Sequence, residues 1–274
     1  MTIRETAIAA AQAAGAIQKA HFGTRLNVDV DTQHDVKLEA DRLCEEAIVG
    51  TIRERWPEHA ILTEETGAIG GTGECVWYTD PLDGTVNFFH NIPYFCTSVA
   101  CYRRPSAEVA ATPRPRGLEA LGEPIVGVVY APPTDELFIA EAGKGATLNG
   151  QPIAASRTTR VAEAMVAIGF GARPGCVEHF VEQVTRLAGR VRKLRSLGAA
   201  AYDLCNLAAG RLTAFYEMRL RSWDIAAAHI VLREAGAVLD AVEIEPHSWN
   251  VVASAPGVYH DFLRLARGPQ EPSP

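Results

Sequence analysis

Apolar positions recur at helical spacing from just after Thr2 to about Ala20, and Thr2 is placed to cap the helix they predict. A second helix is predicted from about Glu39 to Arg55, ending before Pro57. The period then changes to that of strands: AILTEE, CVWYTD, FCTSVACY, PIVGVVYAP and ELFIAE are apolar runs separated by Gly, Pro and Asn turns. Residues 103–124 interrupt this series. They are rich in Pro, Ala and charge, and read as a long surface loop with room for one short helical turn. The second half alternates strand and helix. MVAIGF precedes a helix from about Val177 to Leu187, and VRKLRS precedes one from about Ala199 to Ala209. LTAFYE leads to a helix over Trp223 to Ala235, and VVASA to a last helix through His260 to Ala266. Such alternation predicts an α/β (α+β) fold with helices packed on sheets. The expected subdomains span 1–150 and 151–268, with a disordered tail at 269–274.

At 274 residues and 47% hydrophobic, the chain can bury a sizeable core. Lys and Arg total 26 against 33 Asp and Glu, a formal charge of −7, so no nucleic-acid-binding surface is expected. An anionic substrate would also be repelled unless bound cations reverse the local field. Arg4, Glu5 and Lys19 interrupt the alanine-rich start, which lacks the basic-then-apolar order of a signal peptide, and no apolar stretch is long enough to span a bilayer. Six cysteines are scattered singly, without the close pairs of zinc or redox motifs, and read as core thiols in a reducing cytoplasm. A cytoplasmic location with no membrane partner is therefore expected.

One stretch breaks the hydrophobic logic. WYTDPLDGTVNF, residues 77–88, follows a plausible buried strand with two carboxylates, Asp80 and Asp83, and then Gly84 and Thr85. Unpaired buried anions are costly, so water or cations must meet those oxygens. Two carboxylates and the Leu82 carbonyl between them are hard ligands that suit magnesium rather than zinc. Gly84 lets the chain approach a ligand, and Thr85 can begin a short helix whose free N–H groups face an anion. Elsewhere, Glu64 and Glu65 follow another strand, and Asp224 opens a helix after Trp223. Taken alone, Asp224 is a helix cap and DPLDG a turn. No Ser-His-Asp arrangement or glycine-rich nucleotide fingerprint stands in a convincing context.

Taken together and in order, ILTEE, WYTDPLDGTVNF and SWDIAAAHIVLREAG resemble the inositol monophosphatase family, part of a metal-dependent, lithium-sensitive phosphatase superfamily that includes fructose-1,6-bisphosphatases. EAGKGATLNG and LGAAAYDLCNLAAG look like family segments too, so the likeness runs from the first helix to the last. The resemblance implies a layered αβαβα sandwich. It also implies two or three magnesium ions per site, held by Glu64, Asp80, the Leu82 carbonyl, Asp83 and Asp224, with Asp80 bridging. Phosphate would sit on the backbone N–H groups of Gly84 and Thr85 and on the metals, with Asp83 among the substrate-binding residues. Water activated with help from Glu64 and a Thr85–Asp41 pair would attack phosphorus, with no covalent phosphoenzyme.

Asp41 ends DVKLEAD, where Leu38 stands in place of the threonine of many members, and a solvated helix face is its alternative reading. Glu65 and Lys37 are either close to the site or exposed. Glu217 lies seven residues before Asp224, where the resemblance implies a carboxylate that accepts substrate hydroxyls, and Ala200 matches a residue lining the same pocket. A strand-end pairing of Glu217 with Arg219 or Arg221 competes with that role. Arg192, Lys193, Arg195, Arg219 and Arg221 could recognise a second phosphate, remain solvated or line an interface. His90 and His229 read as structural.

The expected activity is hydrolysis of myo-inositol monophosphate or a similar small polyol or sugar phosphate by a homodimer. Fructose-1,6-bisphosphate, histidinol phosphate, 3′-phosphoadenosine 5′-phosphate and NADP are alternative substrates within the superfamily. A non-catalytic regulatory subunit is the alternative of a different class.

Overall fold

The computed structural model describes residues 1–24, 28–31, 36–114, 116–171 and 175–267, with backbone alone at 29–31, 36 and 37. The expected disordered tail lies outside the described residues, as does the side chain of Lys37. The chain begins with α1 (Ile3–His21), β1 (Val28–Asp31), β2 (Val36–Leu38) and α2 (Glu39–Arg55). Then come β3 (Ala60–Thr63), β4 (Gly67–Ile69), β5 (Cys75–Asp83), α3 (Thr85–Phe89) and β6 (Cys96–Arg103). After α4 (Ala107–Ala111) follow β7 (Glu123–Ala131), β8 (Glu136–Glu141), β9 (Ala146–Leu148) and β10 (Gln151–Pro152). The second half holds β11 (Met165–Ile168), α5 (Cys176–Leu187), β12 (Lys193–Arg195), α6 (Ala200–Ala208) and β13 (Ala214–Arg221). It ends with α7 (Ser222–Glu234), β14 (Val238–Glu245), β15 (Ser248–Ser254) and α8 (Tyr259–Arg267).

Two sheets carry the architecture. The first has eight strands in the order β10-β9-β8-β7-β6-β5-β3-β4, antiparallel except where β3 runs parallel to β5. The second has five, in the order β12-β11-β13-β15-β14, with β11 parallel to both its neighbours. Helices α1 and α2 cover one face of the first sheet, burying Ala7, Ala10, Ala11 and Ala14 against Val99, Val126 and Val128. Helices α6 and α7 lie between the sheets, and α5 and α8 close the far side of the second. The result is the αβαβα layering that the resemblance implied.

Small residues set how close the layers come. Ala226, Ala227 and Ala228 of α7 are fully buried, and a side chain at Gly127 of β7 would meet the Ala227 carbonyl at 2.5 Å. Helix α7 therefore rests on the backbone of the first sheet. That contact fixes its N-terminus, where Asp224 stands.

The region 103–124 differs from the loop expected of it. It holds α4 and a 3-10 turn at Leu118–Leu121, where one helical turn was foreseen. Leu121 is buried and its carbonyl accepts from Tyr78 Oη at 3.0 Å. Arg116 pairs with Glu243 of β14, an acid 2% exposed, so the segment ties the first sheet to the second.

Candidate active site

The site forms where β5 ends. Its register with β6 shifts between Asp80 and Asp83, and Pro81 makes the strand turn. Asp80 Oδ1 accepts the Leu82 N–H at 3.0 Å, which closes that turn. Gln18 of α1 braces it from behind, donating to the Pro81 carbonyl at 2.7 Å and to Thr97 at 2.8 Å. Gly84 follows at φ +94°, a left-handed conformation that disfavours any side chain. A Cβ there would also sit 3.0 Å from the Tyr94 carbonyl and 3.3 Å from that of Gly198. Helix α3 then starts at Thr85, whose Oγ1 lies 2.9 Å from the Leu82 carbonyl and 3.1 Å from Asp41 Oδ1. Asp41 is buried and its other oxygen accepts the Leu38 N–H at 2.7 Å, so it caps α2 while facing Thr85. The solvated-face alternative for Asp41 does not describe this geometry.

Three further segments converge on the turn. Asp83 receives the first N–H groups of α6: Ala200 at 3.1 Å on Oδ1, and Ala201 at 2.8 Å with Tyr202 at 3.4 Å on Oδ2. Cys96 adds a weak thiol contact at 3.5 Å. Helix α6 has no side-chain cap of its own, because Ala199 stands there, so Asp83 caps it from the other half of the chain. Asp224 Oδ2 accepts the Arg221 N–H at 2.7 Å at the start of α7. The Asp80 carboxyl lies close to those of both Glu64 and Asp224, within reach of a shared proton.

Electrostatics single this cluster out. Glu64, Asp80 and Asp224 are held well above ordinary carboxyl values, first by burial and then by the charge of a neighbouring acid: Asp224 for Glu64, Glu64 for Asp80 and Asp83 for Asp224. Burial raises Asp83 to about 6, against the pull of the α6 N–H groups. Glu217 is also pushed well up by burial and by the charges of Asp224, Asp203 and Asp83. No Arg or Lys among the described residues pairs with Glu64, Asp80, Asp83, Asp224 or Glu217. The expected competitors for Glu217 are engaged elsewhere, Arg219 with Glu245 at 3.1 Å and Arg221 over the Trp223 ring.

Acids that repel each other and lack basic partners fit hard divalent cations, which supply the missing charge. The Leu82 carbonyl, engaged by Thr85 through one lone pair, keeps a second for a ligand. Asp80 lies against both Glu64 and Asp224. The donor atoms there are more widely spread than those of the one group of three among the described residues that converge within 4.8 Å, which lies elsewhere.

Sequence reasoning missed several supports. Glu45 of α2, 4% exposed, accepts from Thr63 Oγ1 at 2.7 Å and from the N–H groups of Glu65 at 2.8 Å and Thr66 at 3.0 Å, which sets the segment bearing Glu64. Asn87 donates to the carbonyls of Tyr94 at 2.8 Å and Leu197 at 2.7 Å, tying α3 to the approach of α6. Asp203, raised to about 8 by burial, accepts from Tyr94 Oη at 2.5 Å. His229 behaves as expected of a packing residue, its Nδ1 2.9 Å from Tyr102 Oη and its pKa lowered by burial to about 4. Lone acids on the apolar stripe of a helix, such as Glu45 among Cys44, Ile48 and Ile52, were the available signal.

The model of the inositol monophosphatase family matches residues 1–267. Inositol monophosphatase 3 of Solanum lycopersicum is 36% identical over 239 residues, 85% of this chain and 83% of that protein. Nus factor SuhB of Escherichia coli (strain K12) is 35% identical over 269 residues, 95% and 94% of the two chains. The extragenic suppressor protein suhB from Bartonella henselae superposes with a TM-score of 0.83 at 28% identity, over 96% of this chain and 97% of that one. Membership in this metal-dependent family supports a phosphatase of the same superfamily. From the first helix to the last described one, this chain belongs to the inositol monophosphatase family.

Proposed function

We propose that the chain is a magnesium-dependent phosphomonoesterase acting on myo-inositol monophosphate or a similar small polyol phosphate. The observation that carries the reading is the convergence of Glu64, Asp80, Asp83 and Asp224, four acids from three distant segments, beside the Gly84–Thr85 turn. Magnesium ions held by these acids and the Leu82 carbonyl would supply the positive charge that neutralises a phosphoryl group and acidifies water. The chain's own groups do the rest. The Gly84 and Thr85 N–H groups at the start of α3 are placed to bind phosphate oxygens. Thr85 Oγ1 has one proton to give, to Asp41 or to the Leu82 carbonyl. Giving it to Asp41 leaves the hydroxyl oxygen free to accept a proton from an attacking water. Glu64 is the second acceptor for that water. Glu217 has no protein partner among the described residues and can accept hydroxyls of the leaving alcohol, and Ala200, whose N–H meets Asp83, would line the same pocket.

A relative that bears the name Nus factor keeps the non-catalytic reading in competition. The full set of acids favours catalysis, since a purely binding role does not require them. A phosphate-release assay across inositol monophosphate, fructose-1,6-bisphosphate, histidinol phosphate, 3′-phosphoadenosine 5′-phosphate and NADP tests the proposal. Fastest magnesium-dependent turnover of inositol monophosphate is expected. Much faster turnover of histidinol phosphate would overturn the substrate class, and no turnover of any of them would overturn the reaction.

A further inference from the structure

At the opposite end of β5 from the acid cleft, the fold assembles a second group of ligand atoms. His59, Cys75 and Cys101 are all buried, and one donor atom from each lies within 4.8 Å of the other two. Strand register brings them together. Parallel pairing of Ala60 with Val76 sets His59 beside Cys75, and antiparallel pairing of Trp77 with Cys101 places Cys101 one diagonal step from Cys75 on the same sheet face. The two thiol sulfurs lie within 4.8 Å of each other. We propose that His59, Cys75 and Cys101 form a binding site for a thiophilic divalent cation of the zinc class, separate from the acid cleft. Asp80 lies five residue steps along the strand from Cys75, about 16 Å at roughly 3.3 Å per residue.

The donor set is soft where the cleft is hard. Two sulfurs and an imidazole match tetrahedral zinc, and three protein ligands leave a fourth position for water. Charge favours the match. A dication and two thiolates sum to zero, so the loaded centre avoids the cost of an unpaired buried ion. Loading releases both thiol protons to solvent. The imidazole is positioned in advance, stacked on Trp56 at 5.0 Å with its Nδ1 accepting from Trp77 Nε1 at 3.0 Å. Burial keeps this ring neutral, as a ligand must be. Ligation by the neutral ring costs the Trp77 contact whichever nitrogen binds: Nδ1 binds in place of that N–H, or Nε2 binds after its proton has moved to Nδ1. Residues 71–73 pass closely over His59 and cover the site, held by Arg104 bonds to the Gly71 and Gly73 carbonyls at 2.5 and 2.8 Å. A cation here fastens β3, β5 and β6 at the end remote from the acids.

Cobalt tests the site without recourse to activity. The full-length protein, kept reduced with a phosphine and saturated with magnesium, is titrated with Co²⁺. The expected result is one equivalent that develops a thiolate-to-cobalt charge-transfer band and intense tetrahedral visible bands, is displaced by Zn²⁺, and is lost in Cys75→Ser. The acid cleft, having only oxygen ligands, cannot give that band. X-ray absorption of the zinc-loaded wild type reads the same site with no variant to fold, and two sulfurs at about 2.3 Å with one nitrogen at about 2.0 Å are expected. Weak octahedral cobalt bands unaffected by Cys75→Ser, or a zinc spectrum showing only oxygen and nitrogen, would overturn the proposal.

Discussion

Four of the acids around the site use an oxygen to hold backbone. Asp80 takes the Leu82 N–H, Asp224 that of Arg221, Asp41 that of Leu38, and Asp83 those opening α6. Orientation is thus built into the turns and caps, and the side chains need no further partner to point inward. The amide that replaces a carboxylate keeps one such acceptor and loses the charge. Asp83→Asn sets an NH2 against one of the α6 N–H groups that both oxygens accept, and should cost roughly 1–3 kcal/mol in urea unfolding. Its phosphate release should fall by more than the ~10- to 100-fold typical of groups that merely orient a metal ligand. Asp41→Asn should fall within that smaller range, because its carboxylate acts through Thr85. Equal turnover of wild type and Asp83→Asn would remove Asp83 from the chemistry. The acids of DPLDG and SWD were legible because carboxylates beside a buried strand or at a helix start need explanation. Asp203 and Gln18 were not, since the partners that give them meaning, Tyr94 and the Pro81 carbonyl, lie 109 and 63 residues away.

At the scale of elements, the segment bearing Glu64 depends on one side chain of α2. Glu45 gathers Thr63, Glu65 and Thr66, including a short contact from the Thr66 hydroxyl, so an acceptor-only carboxylate faces four donors. Glu45→Gln turns one end into a donor that confronts donors. A loss of roughly 1–3 kcal/mol is expected from the groups left unsatisfied, read as a lower urea midpoint at unchanged slope. Weakened magnesium dependence should accompany it, because Glu64 loses its support. An unchanged midpoint would show that β3 and its turn hold themselves. Most elements were readable from periodicity, α1 and α2 closely so. Strand β14 was missed although VLDAVEIE alternates, and the region 103–124 looked like a loop because its anchors, Arg116 and Leu121, meet partners from distant strands.

For the molecule as a whole, the acid cluster sets how stability follows pH. Burial raises Asp83 from 3.8 to about 6, and Glu64, Asp80, Asp224 and Glu217 are raised as well. The metal-free folded state then binds more protons than the unfolded chain between the two sets of values. Its stability falls as pH rises from about 4 through 6 and beyond. Thermal unfolding of the chelator-treated protein should show that decline, and magnesium should raise Tm more at about pH 8 than at about pH 5, since ionised acids bind it better. A magnesium effect independent of pH would detach the cations from these carboxylates. The net charge of −7 hinted that an anionic ligand needs cations, but only the fold shows where the repulsion concentrates.

The central claim is that carboxylates from distant parts of the chain hold divalent cations against a phosphoryl group. Crystals grown with Mn²⁺ and inorganic phosphate test it through anomalous scattering. Manganese peaks bounded by Glu64, Asp80, the Leu82 carbonyl, Asp83 and Asp224, with phosphate on the Gly84 and Thr85 N–H groups, are the predicted result. Manganese bound elsewhere, with only water between Glu64 and Asp224, would contradict it.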